Sequence, residues 1–176
     1  MDAIELRFPA IEHESRAEEF KNEFFQNGET VINGSSLYDQ MAFQDWLVAV
    51  KNNANAETAS KDWVVTTAFL AFRKSDNSVV GIIDIRHSID HPFLAQYGGH
   101  IGYAVRPSER RKGYATQMVN LALDYAKSIG LQKVMLGCYT DNTASVKTIL
   151  NCGGVLTKTK PYADGKPMNI YWIDIV

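Results

Sequence analysis

The sequence predicts a mixed α/β (α+β) domain: a mostly antiparallel, twisted sheet of about seven strands with about four helices. Three observations carry that expectation. The hydrophobic period switches between 2 and 3.6 along the chain, in the order strand, two helices, three strands, helix, strand, helix, two strands. The 176 residues, 45% of them hydrophobic, suit one domain with a full core, residues 1–176. A glycine turn, Arg110-Arg111-Lys112-Gly113-Tyr114-Ala115, stands between the apolar run Ile101 to Val105 and the helical run Thr116 to Ser128. It opens a strand-helix-strand crossover.

Each element has its own signal. Ile4, Leu6 and Phe8 alternate with Glu5 and Arg7 until Pro9 ends a short half-buried strand. Ser15 and Glu18 have the spacing of a capping box, and Ala17, Phe20 and Phe24 continue at helical spacing to Asn27-Gly28. After the Asn33-Gly34-Ser35 break, Phe43, Trp46, Leu47 and Val50 fall at i, i+3, i+4 and i+7, which predicts a second helix. The polar stretch 52–62 predicts a surface loop. Trp63 to Phe72 and Val79 to Ile85 are β-branched, apolar runs joined by Ser75-Asp76-Asn77-Ser78, a hairpin. A long loop, Ser88 to Gly99, leads into the strand before the glycine turn. In the helix beyond Gly113, Met118, Leu121, Ala122 and Tyr125 share a face and Gly130 ends it. Lys133 to Tyr139 is the returning strand, and a helix over 143–151 stops at Gly153-Gly154. Val155 to Lys160 and Met168 to Ile175 flank Asp164-Gly165, a hairpin turn.

Charge then narrows the chemistry. The chain carries 18 Lys and Arg against 20 Asp and Glu, a net charge of −2, so the cations between Arg106 and Lys112 are a local spot on a near-neutral molecule. A nucleic-acid surface would be a broad basic face. A strand that turns through glycine into a helix instead leaves the first helix amides unpaired at the positive end of the macrodipole. The arrangement suits a compact polyanion such as a diphosphate. Gly113 lets backbone approach it where a Cβ would collide, Ala115 is the next smallest choice, and Arg110, Arg111 and Lys112 add charge. No run reaches the roughly 20 apolar residues of a membrane span, and Met1-Asp2-Ala3-Ile4-Glu5 lacks the plan of a signal peptide. A cytoplasmic protein without membrane partners is expected. Cys138 and Cys152 are the two cysteines, expected as buried thiols without a disulfide. His87, Asp90 and His91 have no third ligand at a matching spacing, so no metal is expected.

With these residues in place, the chain resembles the GNAT superfamily of N-acetyltransferases over almost its whole length, and within it a bacterial subgroup of predicted acetyltransferases. Arg110-x-x-Gly113-x-Ala115 is similar to that superfamily's cofactor motif, and Asn142-Thr143-Ala144-Ser145 followed by Gly153-Gly154 is similar to its second motif. The resemblance implies a sheet splayed at its centre and acetyl-CoA as co-substrate. In that frame the amides from Arg111 through Gly113, Tyr114 and Ala115 to Thr116 hold the pyrophosphate, while Arg106, Arg110, Arg111 and Lys112 supply cations. Val105 and its strand pair with the pantetheine arm as a pseudo-strand. Asn142 bonds the arm from the other side or caps its helix, and Ser145 lets it pass.

The implied reaction is direct attack by a primary amine on acetyl-CoA in a ternary complex, without an acyl-enzyme. The amine must lose a proton, the thioester oxygen becomes an oxyanion, and CoA thiolate leaves. Many relatives protonate that thiolate with a tyrosine late in the second motif's helix, where this chain has Ile149. Tyr103 and Tyr139 are the candidate replacements, and His100 is the first candidate base, with a structural histidine as its alternative. Asp84, His87 and Asp90 follow as further bases. The acceptor is expected to be an amine of a small molecule or peptide, with no nucleic acid, and a homodimer is allowed but not specified. The first two helices, their connection and the Ser88 to Gly99 loop are expected to wall the acceptor side, where Phe24, Phe25, Tyr38, Phe43 and Trp46 are either pocket lining or ordinary core. The competing class is a non-catalytic CoA-binding or regulatory module.

Overall fold

Alternation at Ile4 and Leu6 produces β1 (Ile4–Arg7), the first strand of a computed structural model that describes residues 1–175. The periodic stripes become helices. α1 (Glu14–Gln26) buries Ala17, Phe20 and Phe24, and α2 (Phe43–Asn53) buries Phe43, Trp46, Leu47 and Val50. Both stripes pack on one face of β2 (Thr66–Arg73) and β3 (Val79–Arg86), around Leu70, Phe72 and Ile82. Tyr38 stacks on Trp46 there at 4.4 Å. Burying each such side chain contributes about 1.5–3 kcal/mol of transfer free energy.

The opposite face receives α3 (Tyr114–Ser128) and α4 (Thr143–Asn151), whose Met118, Val119, Ala122 and Ile149 join Ala71, Ile83 and Ile85 in a second core. The remaining strands are β4 (Ile101–Val105), β5 (Lys133–Tyr139), β6 (Val155–Pro161) and β7 (Pro167–Asp174). They complete two antiparallel sheets, ordered β1-β2-β3-β4 and β5-β7-β6.

The two sheets meet at one point. The His100 amide donates to the Met135 carbonyl at 2.8 Å, and the Met135 amide returns a bond to His100 Nδ1 at 2.9 Å. Gly99 makes the approach feasible: its φ is +63°, and a Cβ there would lie 2.2 Å from the Met135 oxygen. Beyond this seam β4 and β5 part company.

The expected fold is observed as seven strands and four α-helices, with local differences. The strand expected from Trp63 begins at Thr66, because Trp63 turns out to its contact with His91, ring centroids 4.7 Å apart. Ser15 is not a cap. A short 3-10 turn, Ile11–His13, precedes α1, and His13 Nδ1 accepts the Ala10 amide at 3.1 Å, so the entry is already satisfied one residue before Ser15. The long loop contains a π-type turn, Leu94–Gly98, anchored by buried Leu94.

Candidate active site

The open edge of β4 follows from its register. Arg86 donates to the His100 carbonyl at 2.7 Å and Arg106 to the Val80 carbonyl at 2.8 Å, so the alternate residues Tyr103 and Val105 turn their amides and carbonyls away from β3. No strand of either sheet pairs with that edge.

At the C-terminal end of the edge the chain makes a 3-10 turn at Pro107–Glu109 and enters α3 through Gly113, whose φ is +80°. Arg111 is also left-handed, with φ +62°. Among the described residues no side chain caps α3, so its first-turn amides at Tyr114, Ala115 and Thr116 are available to an anion, with the Met1 thioether lying against Gly113 beside them. The cations around them have different tasks. Arg110 is held bidentate by Glu29 at 2.9 and 2.8 Å and donates to the Val105 carbonyl at 3.2 Å. Arg106 pairs with Glu23 at 2.5 Å, whose other oxygen accepts the Ser108 amide at 2.7 Å. Both tie the turn to α1 and the segment after it. Lys112 pairs with Glu109 at 2.9 Å, and exposed Arg111 has no charged partner among the described residues.

Where the strands part, a cavity of about 290 Å³ opens. Ile101 to Tyr103 line one side and Leu136 to Tyr139 the other, with Asn142, Ser145 and Ile149 of α4 above. Asn142 is the N-cap of α4, its Oδ1 accepting the Ser145 amide at 3.2 Å, so capping and cavity lining coincide in one side chain. Tyr103 donates across the cleft to Ser145 Oγ at 3.1 Å, and burial pushes its hydroxyl up to about 12. The Tyr139 hydroxyl is spoken for by Asp164 at 2.7 Å, a bond that raises it to about 12. Cys138 also lines the cavity, and burial pushes its thiol up to about 11. It is protonated at neutral pH, as a nucleophile would not be.

His100 is a correction. Its ring sits in the seam and not in the cavity, with Nδ1 occupied by the Met135 amide. Burial, and then the Arg86 charge, hold the imidazole down to about 4. Two hydrogen bonds to Met135 make it the rivet of the two sheets. Among the other candidate bases, His87 Nε2 contacts Thr67 Oγ1 at 2.9 Å, away from the cavity. Asp84 is buried beneath Gly102, accepts Ser36 Oγ at 3.0 Å and lies 3.1 Å from Arg86 in a misaligned ion contact. Asp90 does not line the cavity.

The loop over 88–99 and the connection of the first two helices, both expected to wall the acceptor side, do line the cavity. Phe24, Tyr38, Phe43 and Trp46 are core, whereas the aromatic lining besides Tyr103 is Phe93, Tyr97, Tyr139 and Tyr162. Asn33 and Gly34 supply a further wall, and there a Cβ on Gly34 would lie 2.1 Å from the Gly102 oxygen. Gly137, a glycine inside an apolar strand, was the available signal: a Cβ on it would lie 2.4 Å from the Tyr97 oxygen. Among the described residues no helix is long and apolar enough to cross a membrane.

Comparison with known proteins follows the same outline. The family model for the acetyltransferase (GNAT) domain matches residues 4–155. No curated protein matches the chain. Among solved structures, the microcin C7 self-immunity acetyltransferase, in complex with acetyl-CoA and AMP, superposes with TM-score 0.71 at 20% identity, over 99% of this chain and 94% of that one. An acetyltransferase of Salmonella typhimurium that modifies the N-terminal serine of a 50S ribosomal subunit protein gives 0.67 at 17%, over 98% and 95%. The spermidine/spermine N-acetyltransferase of Vibrio cholerae gives 0.66 at 15%, over 97% and 93%. At these identities the likeness is one of fold.

Proposed function

Because the chain belongs to the GNAT acetyltransferase family, we propose that it moves an acetyl group from acetyl-CoA to a primary amine by direct attack in a ternary complex. The observation that carries this is the unpaired edge at Tyr103 and Val105, running from the uncapped start of α3 to the cavity between β4 and β5. The diphosphate sits at the α3 amides with Arg111 beside it. The edge at Tyr103 and the Val105 amide would hold the pantetheine arm as an added strand, flanked by Asn142, while the Val105 carbonyl stays with Arg110. The thioester then reaches the cavity.

Positioning supplies much of the rate, because two reactants held side by side avoid the entropy of encounter. The residues lining the cavity include no carboxylate and no histidine. Water therefore carries the proton from the ammonium. Tyr103 is the acid: a phenol held near 12 is fully protonated at neutral pH and faces the cleft from β4, opposite the apolar Ile149. Tyr139 is less free, since its proton is committed to Asp164. Cys138 has no activating partner, which favours direct attack over an acyl-enzyme.

The absence of a titratable base in the lining also supports the second reading, a CoA-binding module without turnover. One experiment separates them. Calorimetric binding of acetyl-CoA followed by thiol release with an amine panel supports transfer. Binding with no release from any amine supports the module, and no binding at all overturns both.

A further inference from the structure

Resting on the transferase reading, we infer that the acceptor is a small arylalkyl amine, its ring seated among Phe93, Tyr97 and Tyr162 and its nitrogen directed towards Tyr103. The outer end of the cavity is walled by rings. Tyr97 and Tyr162 meet edge-on at 5.1 Å, Phe93 lies 5.9 Å from Tyr97 and 6.3 Å from Tyr162, and Tyr139 lies 5.7 Å from Tyr162. These are the spacings of an edge-to-face cluster, the geometry into which a further ring fits. The cluster is not closed, since Phe93 remains 40% exposed at the mouth while Tyr97, Tyr139 and Tyr162 are half-buried.

Charge excludes the main rival, a polyamine. No Asp or Glu lines the cavity, and its one formally charged side chain is the Arg86 guanidinium. Arg86 is itself engaged by the Gly98 carbonyl at 3.1 Å and by Asp84, so it offers no anionic patch to a second ammonium. The outer ring faces already carry cations, Lys160 Nζ 4.3 Å over Tyr97 and Lys166 Nζ 5.8 Å over Tyr139. Asp164, beside the rings, is committed to the Tyr139 hydroxyl and the Lys166 amide. A polycation would meet three positive groups and no acid in the lining, whereas an aryl ring meets four others. Size agrees, because a space of about 290 Å³ shared with the acetyl thioester holds one ring and a short tether.

The test uses the full chain. Acetyl-CoA binding is measured first by calorimetry, and CoA thiol release is then compared for phenethylamine, hexylamine, spermidine and a short N-terminal peptide. The expected result is a kcat/KM for phenethylamine at least tenfold above the others. Tyr162→Leu and Phe93→Leu should each raise its KM about five- to tenfold, with the Kd for acetyl-CoA and the melting temperature unchanged. Equal or better turnover of hexylamine, spermidine or the peptide overturns the arylalkyl assignment while leaving the transferase intact, as does acetyl-CoA binding without phenethylamine turnover. An absence of acetyl-CoA binding removes the transferase reading and the acceptor with it.

Discussion

Gly34→Ala should damage this fold much more than Gly28→Ala, its matched control. Both positions have positive φ, +68° at Gly34 and +77° at Gly28, so alanine bears a similar backbone penalty of about 1–2 kcal/mol at each. They differ in what a methyl group would meet. At Gly28 nothing lies within 4 Å, whereas at Gly34 the Cβ would fall 2.1 Å from the Gly102 oxygen and 2.4 Å from the Tyr103 nitrogen. Those are backbone atoms of β4, which cannot rotate away, so the loop must lift and strain must spread, adding about 1–3 kcal/mol. The neighbouring Ser36 bond to Asp84 and the Trp46 indole bond to the Ser35 carbonyl, 3.0 and 2.8 Å, resist that shift. For a chain of this size, 1 kcal/mol moves the melting midpoint by about 2–4 °C. Thermal melts should therefore fall by roughly 2–8 °C for Gly28→Ala and roughly 4–20 °C for Gly34→Ala. Equal shifts in the two variants would show that the loop does not seat on β4, and the cavity wall at Asn33-Gly34 would be lost with it.

Replacing His100 by Ala leaves the buried Met135 amide without its acceptor and should cost about 1–3 kcal/mol beyond the lost packing, while His100→Asn, which restores an acceptor, should recover part of the melting temperature. Burial holds the folded imidazole at about 4 against 6.5 unfolded, so its contribution is complete above pH 6.5 and is lost as pH falls towards 4. Unfolding free energies from urea melts should drop over that window by an amount on the order of a few kcal/mol, less steeply in His100→Asn, with a residual slope from His13 and His87, which burial also lowers. A slope unchanged in His100→Asn would count against the seam. Arg111→Ala removes an exposed, unpaired cation, so acetyl-CoA should bind about tenfold or more weakly with the melting temperature nearly constant, read by calorimetry. Tyr103→Phe should lower kcat about a hundredfold with the acetyl-CoA Kd preserved, and an unchanged kcat would strike out the acid.

The fold was legible where a pattern is local. Phe43, Trp46, Leu47 and Val50 repeat with the helix period, and the stripe is buried as expected because one helix face needs one partner surface. The glycine turn at Gly113 was legible for the same reason, since a left-handed residue at a strand-to-helix junction is a property of neighbouring backbone. What failed depends on distant chain. Ser15 and Glu18 had capping-box spacing, yet His13, packed 4.8 Å from the Phe72 ring, turned its nitrogen to Ala10 and moved the helix start. Arg106 and Arg110 read as phosphate ligands because Glu23 and Glu29, more than 80 positions away, are invisible to a local motif. Tyr162 escaped because it comes from the closing hairpin, with no periodicity to link it to Tyr97 of the expected loop.

The sequence offers His100 as the candidate base and Tyr103 as a candidate acid, and the backbone separates them, bringing only Tyr103 to the cavity. Regular alternation from Gly102 would place the His100 side chain on the sheet face that packs towards α1 and α2. The left-handed Gly99 instead turns it in-plane towards β5, where an aromatic nitrogen can take a backbone amide that no parting strand could otherwise satisfy. That bond fixes the point at which the sheets separate. Tyr103, three residues along, then faces the gap so created, close enough to reach Ser145 on the opposite wall at 3.1 Å. A hydroxyl delivered from β4 occupies the cleft that Ile149 of α4 leaves apolar, so losing a helix tyrosine does not leave the cavity without a proton donor. The histidine thus holds the opening in register, and the acid role proposed for the tyrosine depends on that opening.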